Sequence, residues 1–88
     1  VLIDVREQDE WNAGHLADAA FIPLSSLKGP GLAEALQKLP KDKPVYLHCK
    51  SGGRVLMCAE ILQGKGYDIR PLRAGYENLL QAGFRKAE

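Results

Sequence analysis

Apolar positions along the chain alternate between short strand-like runs and helical stripes. Val1 to Val5 is an apolar run closing on Asp4-Val5-Arg6, which predicts a buried strand that meets polar groups at its C-terminal end. Glu7 to Ala13, with Trp11, predicts a brief helix stopped by Gly14. Small residues Ala17 to Ala20 lead into Phe21-Ile22, a second short strand halted by Pro23. Ser25-Ser26-Leu27 followed by Lys28-Gly29-Pro30-Gly31 reads as a turn-rich connector. Leu32, Ala35, Leu36 and Leu39 then fall at i, i+3, i+4 and i+7, the core stripe of an amphipathic helix that ends before Pro40.

Polar Lys41-Asp42-Lys43 resets the chain for a central strand, Val45 to His48. From Arg54 the positions Val55, Cys58, Ala59 and Leu62 again follow helical spacing, and Gly64-Lys65-Gly66 ends that helix. A last short strand is expected near Ile69 to Leu72, shortened by Pro71, which lacks a ladder donor. Tyr76 to Ala82 predicts a closing helix before Gly83. Strands alternating with helices define the α/β class: an open parallel sheet of about four strands with helices on both faces. Residues 1–88 form a single domain on this reading. The abrupt, already strand-like start suggests trimming at the N-terminus, with an N-terminal strand missing and fusion to another domain plausible.

Composition narrows the picture by exclusion. A hydrophobic content of 45% suffices for a core without metal or disulfide support, and no cofactor is expected. A formal charge of +1 gives no whole-chain reason for nucleic acid or an anionic membrane as partner. No apolar run reaches the roughly 18 to 20 residues of a membrane span, and the two cysteines match neither a disulfide framework nor a zinc spacing. A reduced, cytoplasmic location is the simplest expectation.

The chemistry gathers in His48-Cys49-Lys50-Ser51-Gly52-Gly53-Arg54. In an open parallel sheet ligands collect beyond the C-terminal strand ends, where Cys49 falls. Gly52 and Gly53 allow successive N–H groups to turn inward as a nest, and the following helix adds its positive end. A thiol facing those donors, Lys50 and Arg54 has its thiolate favoured, and the thiolate is the nucleophile. The same donors would hold an anionic substrate or a negatively charged outer sulfur.

Cys58 sits on a helical apolar stripe and reads as a packed small hydrophobe. Cys49 reads as a nucleophile because strand end, glycines, arginine and helix start coincide. His48 points to the opposite side of its strand and reads as a packed histidine rather than a general base. His15, beside Gly14, reads as a structural hydrogen-bonding residue. Arg54, a cation at a helix start, needs a compensating anion, either in the loop or a buried carboxylate such as Asp4. Lys50 is either simply exposed or a substrate-steering cation. Asp4 and Arg6 read as supporting groups at a strand end, and Trp11, Tyr46 and Tyr76 as core aromatics.

With these residues in view, the sequence resembles the rhodanese (thiosulfate sulfurtransferase) domain family over nearly its whole length. The resemblance rests on Asp4-Val5-Arg6, Glu10-Trp11, Gly14-His15-Leu16, the stretch Ala19-Ala20-Phe21-Ile22-Pro23-Leu24, and Cys49 followed by four residues and Arg54. It departs from the family pattern at Val55, Ala74-Gly75 and Leu79. The resemblance implies that Cys49 carries sulfane sulfur as a persulfide within a loop of Lys50, Ser51, Gly52, Gly53 and Arg54. The implied donor is thiosulfate or a persulfide, and the implied acceptor is cyanide, a thiol or a thioredoxin-like protein. Two other readings remain. One is a rhodanese-fold phosphatase or arsenate reductase; related dual-specificity phosphatases carry five residues between Cys and Arg where this chain has four. The other is a non-catalytic interaction or regulatory module.

Overall fold

The computed structural model describes residues 1–50 and 52–87; Ser51, expected in the loop, lies outside the described residues. The chain runs β1 (Leu2–Asp4), α1 (Gln8–Ala13), β2 (Ala19–Phe21), α2 (Leu24–Lys28), α3 (Leu32–Leu36), β3 (Pro44–His48), α4 (Gly53–Leu62), β4 (Asp68–Pro71) and α5 (Tyr76–Gln81). The strands form one sheet in the order β2-β1-β3-β4, and every pairing is parallel. Asp4 is in register with both Phe21 and His48, so the polar end of β1 lies level with the end of β3.

Strand alternation sorts the side chains onto two faces. Ile3, Val5, Val45, Leu47 and Cys49 join Leu24, Leu27, Ala35, Leu39, Val55, Cys58 and Leu62 in the larger core, beneath α2, α3 and α4. On the other face Leu2 packs with Leu16, Tyr76, Leu79 and Leu72 beneath α5. Val5, Val45 and Val55 are completely buried. Each such side chain contributes about 1.5–3 kcal/mol of transfer free energy. Helices on both faces of a parallel sheet match the expected α/β architecture.

Local chemistry sets the element ends. The Glu7 amide donates to Glu10 Oε1 at 3.0 Å, capping the start of α1, and Gly14 closes it. The stretch expected to be a connector is helical over Leu24–Lys28 instead. Leu24 and Leu27, three apart, both bury into the larger core, and the extended Pro23 starts the helix. Ser25 fastens that turn to α1, its hydroxyl donating to Glu7 Oε1 at 2.8 Å. Pro71 is the last residue of β4, a strand at the sheet edge, where a missing N–H costs least.

Candidate active site

Cys49 follows directly after β3, and its backbone is pinned from the neighbouring segments. The Val5 amide donates to the His48 carbonyl at 3.0 Å, the Leu72 amide to that of Leu47 at 2.8 Å, and the Tyr76 amide to that of Cys49 at 2.9 Å. The thiol is 1% exposed, and the Gly52 amide donates to its Sγ at 3.1 Å. Gly52 takes φ 92°, and a Cβ there would lie 2.7 Å from the Arg73 carbonyl oxygen. A glycine is therefore required both by the left-handed backbone and by the approach of the segment before α5.

Arg54 stands in the first turn of α4, and the carboxylate that compensates it is Glu10, not Asp4, the example expected from the sequence beside a loop anion. Arg54 NH1 donates to Glu10 Oε1 and NH2 donates to Oε2 at 2.9 Å, a bidentate pair bridging α1 and α4. Hydrogen bonding from Arg54 is the main reason the Glu10 acid is lowered to about 2. The reciprocal bond raises Arg54. In sequence, Glu10 three residues after Glu7 signals a helix cap; nothing there announces a partner on α4.

Asp4 is committed elsewhere. Arg6 wraps around it, with its amide, Nε and NH2 all donating to the carboxylate at 2.8–3.0 Å, and NH2 also donating to the Gly14 carbonyl at 2.6 Å. The guanidinium carbon lies 4.0 Å from the centre of the Tyr76 ring. His48 occupies this side of the sheet, opposite Cys49. Its Nε2 is 3.7 Å from Asp4 Oδ2, its ring centre is 6.5 Å from that of Tyr76, and neither ring nitrogen has a hydrogen-bond partner among the described residues. Burial above all lowers its pKa, disfavouring the charged imidazolium. Cys58 is buried in the larger core, and burial pushes its thiol up to about 12. His15 stacks on Trp11 with ring centres 3.6 Å apart, and its Nδ1 lies 2.9 Å from the Trp11 carbonyl. Trp11 and Tyr46, expected in the core, are half-buried instead: Trp11 stacks between His15 and Phe21, and Tyr46 has the exposed Arg70 beside its ring; Tyr76 is buried.

Beside the loop opens a cleft of about 290 Å³, lined by Arg6, Glu10, Lys50, Tyr76, Glu77 and Lys86 among others. Lys50 is exposed and lines this cleft, whereas Cys49 is buried and does not. Sequence reasoning missed Glu77 and Lys86, which no local pattern ties to the loop. Among the described residues no cluster of His, Cys, Asp or Glu is arranged to hold a metal ion, and no helix is long and apolar enough to cross a membrane.

The parallel α/β sheet thus carries a thiol at a strand end, with a glycine amide on its sulfur and an arginine held by Glu10 at the start of the next helix. Residues 1–82 match the model of the rhodanese-like domain, and the chain belongs to that family. It is 31% identical over 78 residues to the thiosulfate sulfurtransferase GlpE of Coxiella burnetii, covering 88% of this chain and 68% of that protein. It is 39% identical over 77 residues to the Bacillus subtilis protein YqhL, covering 86% of this chain and 57% of YqhL. A 34% identical match to the tRNA sulfurtransferase of Desulfurococcus amylolyticus covers 98% of this chain and 16% of that protein. The chain thus spans little more than half of one curated relative and a small part of another. The solution structure of Helicobacter pylori protein hp1203 superposes with a TM-score of 0.81 at 34% identity, over 99% of this chain and 76% of that one.

Proposed function

We propose that this domain is a sulfurtransferase that carries sulfane sulfur as a persulfide on Cys49. The observation that carries the reading is the Gly52 amide donating to Sγ at 3.1 Å, with Arg54 fixed by Glu10 at the start of the helix that follows. In the first step the Cys49 thiolate attacks the outer sulfur of thiosulfate. The sulfur–sulfur bond of the donor breaks as the new one forms, and sulfite leaves with the electron pair. In the second step an acceptor such as cyanide or a thiolate takes the outer sulfur and the Cys49 thiolate returns. Loop N–H donors stabilise negative charge on the outer sulfur between the steps. Four residues between Cys49 and Arg54 make a tighter loop than the five that resemblance associates with phosphatases, which supports sulfur over a phosphate ester as cargo.

Intact-mass measurement after incubation with thiosulfate tests the reading. The expected result is a gain of one sulfur atom that cyanide removes and that Cys49→Ala abolishes. An unmodified wild-type protein would support an interaction module instead, and hydrolysis of an aryl phosphate would support the phosphatase reading.

A further inference from the structure

The cleft beside the loop holds a polar centre of its own, gathered around Gly14, and Cys49 takes no part in its lining. The segment after α5 turns back against the chain that follows α1. The Ala17 amide donates to the Arg85 carbonyl at 2.8 Å and the Ala87 amide to that of His15 at 2.7 Å, with Leu16 and Lys86 paired in an antiparallel bridge. This pairing brings the Lys86 side chain against Gly14. A Cβ placed there would lie 2.7 Å from Lys86 Cε, 3.1 Å from its Nζ and 3.0 Å from the Tyr76 hydroxyl. The ammonium and the phenol thus approach one point that a side chain at Gly14 would fill. The Arg6 guanidinium joins them, its carbon 4.0 Å from the centre of the Tyr76 ring and its Nη2 donating to the Gly14 carbonyl at 2.6 Å.

Two of these groups are buried with hydrogen-bonding capacity left over. Tyr76 is 8% exposed, and its hydroxyl has no partner among the described residues. An unpaired buried hydroxyl is destabilising, and a ligand that pairs it recovers the loss. Burial raises the Tyr76 acid, so the hydroxyl keeps its proton and is free to donate. Arg6 is 4% exposed; Asp4 and Gly14 take its Nε and Nη2, whereas Nη1 has no partner among the described residues. The charges on the wall divide in the same way. Glu10 is committed to Arg54, while Lys50, Lys86 and Glu77 form no ion pair among the described residues. Unspent donors and two cations against one carboxylate complement an oxyanion. A volume of 290 Å³, the liquid volume of about ten water molecules, leaves room for an organic body behind the anionic head.

We propose that Arg6 Nη1, the Tyr76 hydroxyl and the Lys86 ammonium form an oxyanion site for a small organic carboxylate or phosphate, separate from the cysteine loop. Arg6 and Tyr76 are the fixed donors, one at the end of β1 and the other at the start of α5. Lys86, on a long flexible stem, closes over the bound head. The occupant undergoes no chemistry there, since no nucleophile lines the cleft, and the site stands whether or not Cys49 transfers sulfur. A head held by all three groups ties the tail after α5 to the end of β1, and the bound form is stabilised by mass action.

Amide NMR titrations of the full chain with lactate and with inorganic phosphate, at an ionic strength held constant with sodium chloride, test the site. At least one probe should saturate, with the largest shifts at Arg6, Gly14, Tyr76 and Lys86. Saturation by lactate alone identifies a carboxylate head, by phosphate alone a phosphate head, and by both the shared oxyanion. Cys49→Ala should bind as wild type does. Tyr76→Phe keeps the ring over Arg6 and loses only the hydroxyl. It should weaken binding about tenfold, yet without ligand it should melt no lower than wild type, because the group it removes is unpaired. Lys86→Gln should weaken binding about two- to fivefold and Lys86→Arg should restore most of it, whereas Lys65→Gln, at an exposed lysine outside the cleft, should change nothing. Shifts centred on Gly52 and Gly53, or binding lost in Cys49→Ala, would put the anion in the cysteine loop and overturn the site. Saturation by neither probe, or unchanged affinity in both Tyr76→Phe and Lys86→Gln, would overturn it as well.

Discussion

Glu10 grips both terminal nitrogens of Arg54 across 44 positions of sequence, and the Glu7 amide holds Glu10 in turn. The guanidinium at the start of α4 is therefore held in a fixed orientation rather than swinging freely. Replacing Glu10 by Gln keeps one acceptor and removes the charge-assisted fork. Persulfide formation in a single turnover should slow about tenfold through lost orientation. Stability should fall by about 1–2 kcal/mol. Because the Glu10 acid is depressed from 4.5 to about 2, its contribution is fully present above pH 4.5 and is lost as pH falls toward 2. Thermal melts across that acid range should show the loss in wild type and not in Glu10→Gln. Arg54→Ala should slow the same step more than Lys50→Ala, and a faster or unchanged rate in Glu10→Gln would refute the orienting role.

The adjacent glycines of the loop should respond in opposite ways. Gly52 has φ 92° and faces the Arg73 carbonyl, whereas a Cβ on Gly53 meets nothing within 4 Å. Gly52→Ala should cost about 1–3 kcal/mol and impair persulfide formation, since it displaces the amide that reaches Sγ. Gly53→Ala, at the first residue of α4, should be neutral or stabilising by up to about 1 kcal/mol. Urea denaturation of the two variants measures both, and equal losses would show that the loop is constrained by something other than the Gly52 backbone.

The layout of the site was legible where local rules and topology agree. Alternation along β3 separates Val45, Leu47 and Cys49 from Tyr46 and His48, so the opposite orientation of thiol and imidazole followed from spacing alone. Leu24 to Lys28 failed to announce a helix because serines, Gly29 and Pro30 outweigh a stripe of only two leucines, whose burial is a tertiary effect. The partner of Arg54 was hidden for a related reason. Asp4 lies near the same strand ends and carries the right charge, but Arg6, two residues away, satisfies it locally. Glu10 is free to reach α4 because its own helix offers no basic residue in the last turn. Lys86 reaches the cleft through backbone pairing of a short tail, for which the sequence holds no periodic signal.

The buried pair of Asp4 and Arg6 should dominate the mutational stability of the site. Asp4 is fully buried and Arg6 is 4% exposed, and the carboxylate receives donors from the Arg6 amide, Nε and NH2. Removing only the cation, as in Arg6→Met, strands a buried carboxylate and should cost about 3–5 kcal/mol. Arg6→Lys should also be costly, because a single ammonium cannot reproduce the fork and its contact with the Gly14 carbonyl. The double variant Asp4→Leu with Arg6→Met should lose less than Arg6→Met alone. Denaturant midpoints provide the comparison, and a harmless Arg6→Met would show that the pair does not carry the stability of this strand end.

His48 should impose its own pH dependence, separate from that of Glu10. Its pKa is lowered from the ordinary 6.5, first by burial and further by Arg6, against the opposing pull of Asp4. Below about pH 6.5 the unfolded chain binds a proton at this histidine that the folded chain does not. Stability is therefore complete above pH 6.5 and declines as pH falls, by up to about 1.4 kcal/mol per unit until the folded form also protonates. Because His48 precedes Cys49 and its carbonyl receives the Val5 amide, protonation would loosen the strand end that carries the thiol. Urea midpoints measured from pH 7.5 down to pH 5 should fall in wild type. In His48→Gln, which removes the titrating ring, the curve should flatten over this interval while the decline below pH 4.5 due to Glu10 persists. A wild-type curve without the slope, or the same slope in His48→Gln, would transfer the pH dependence to another group.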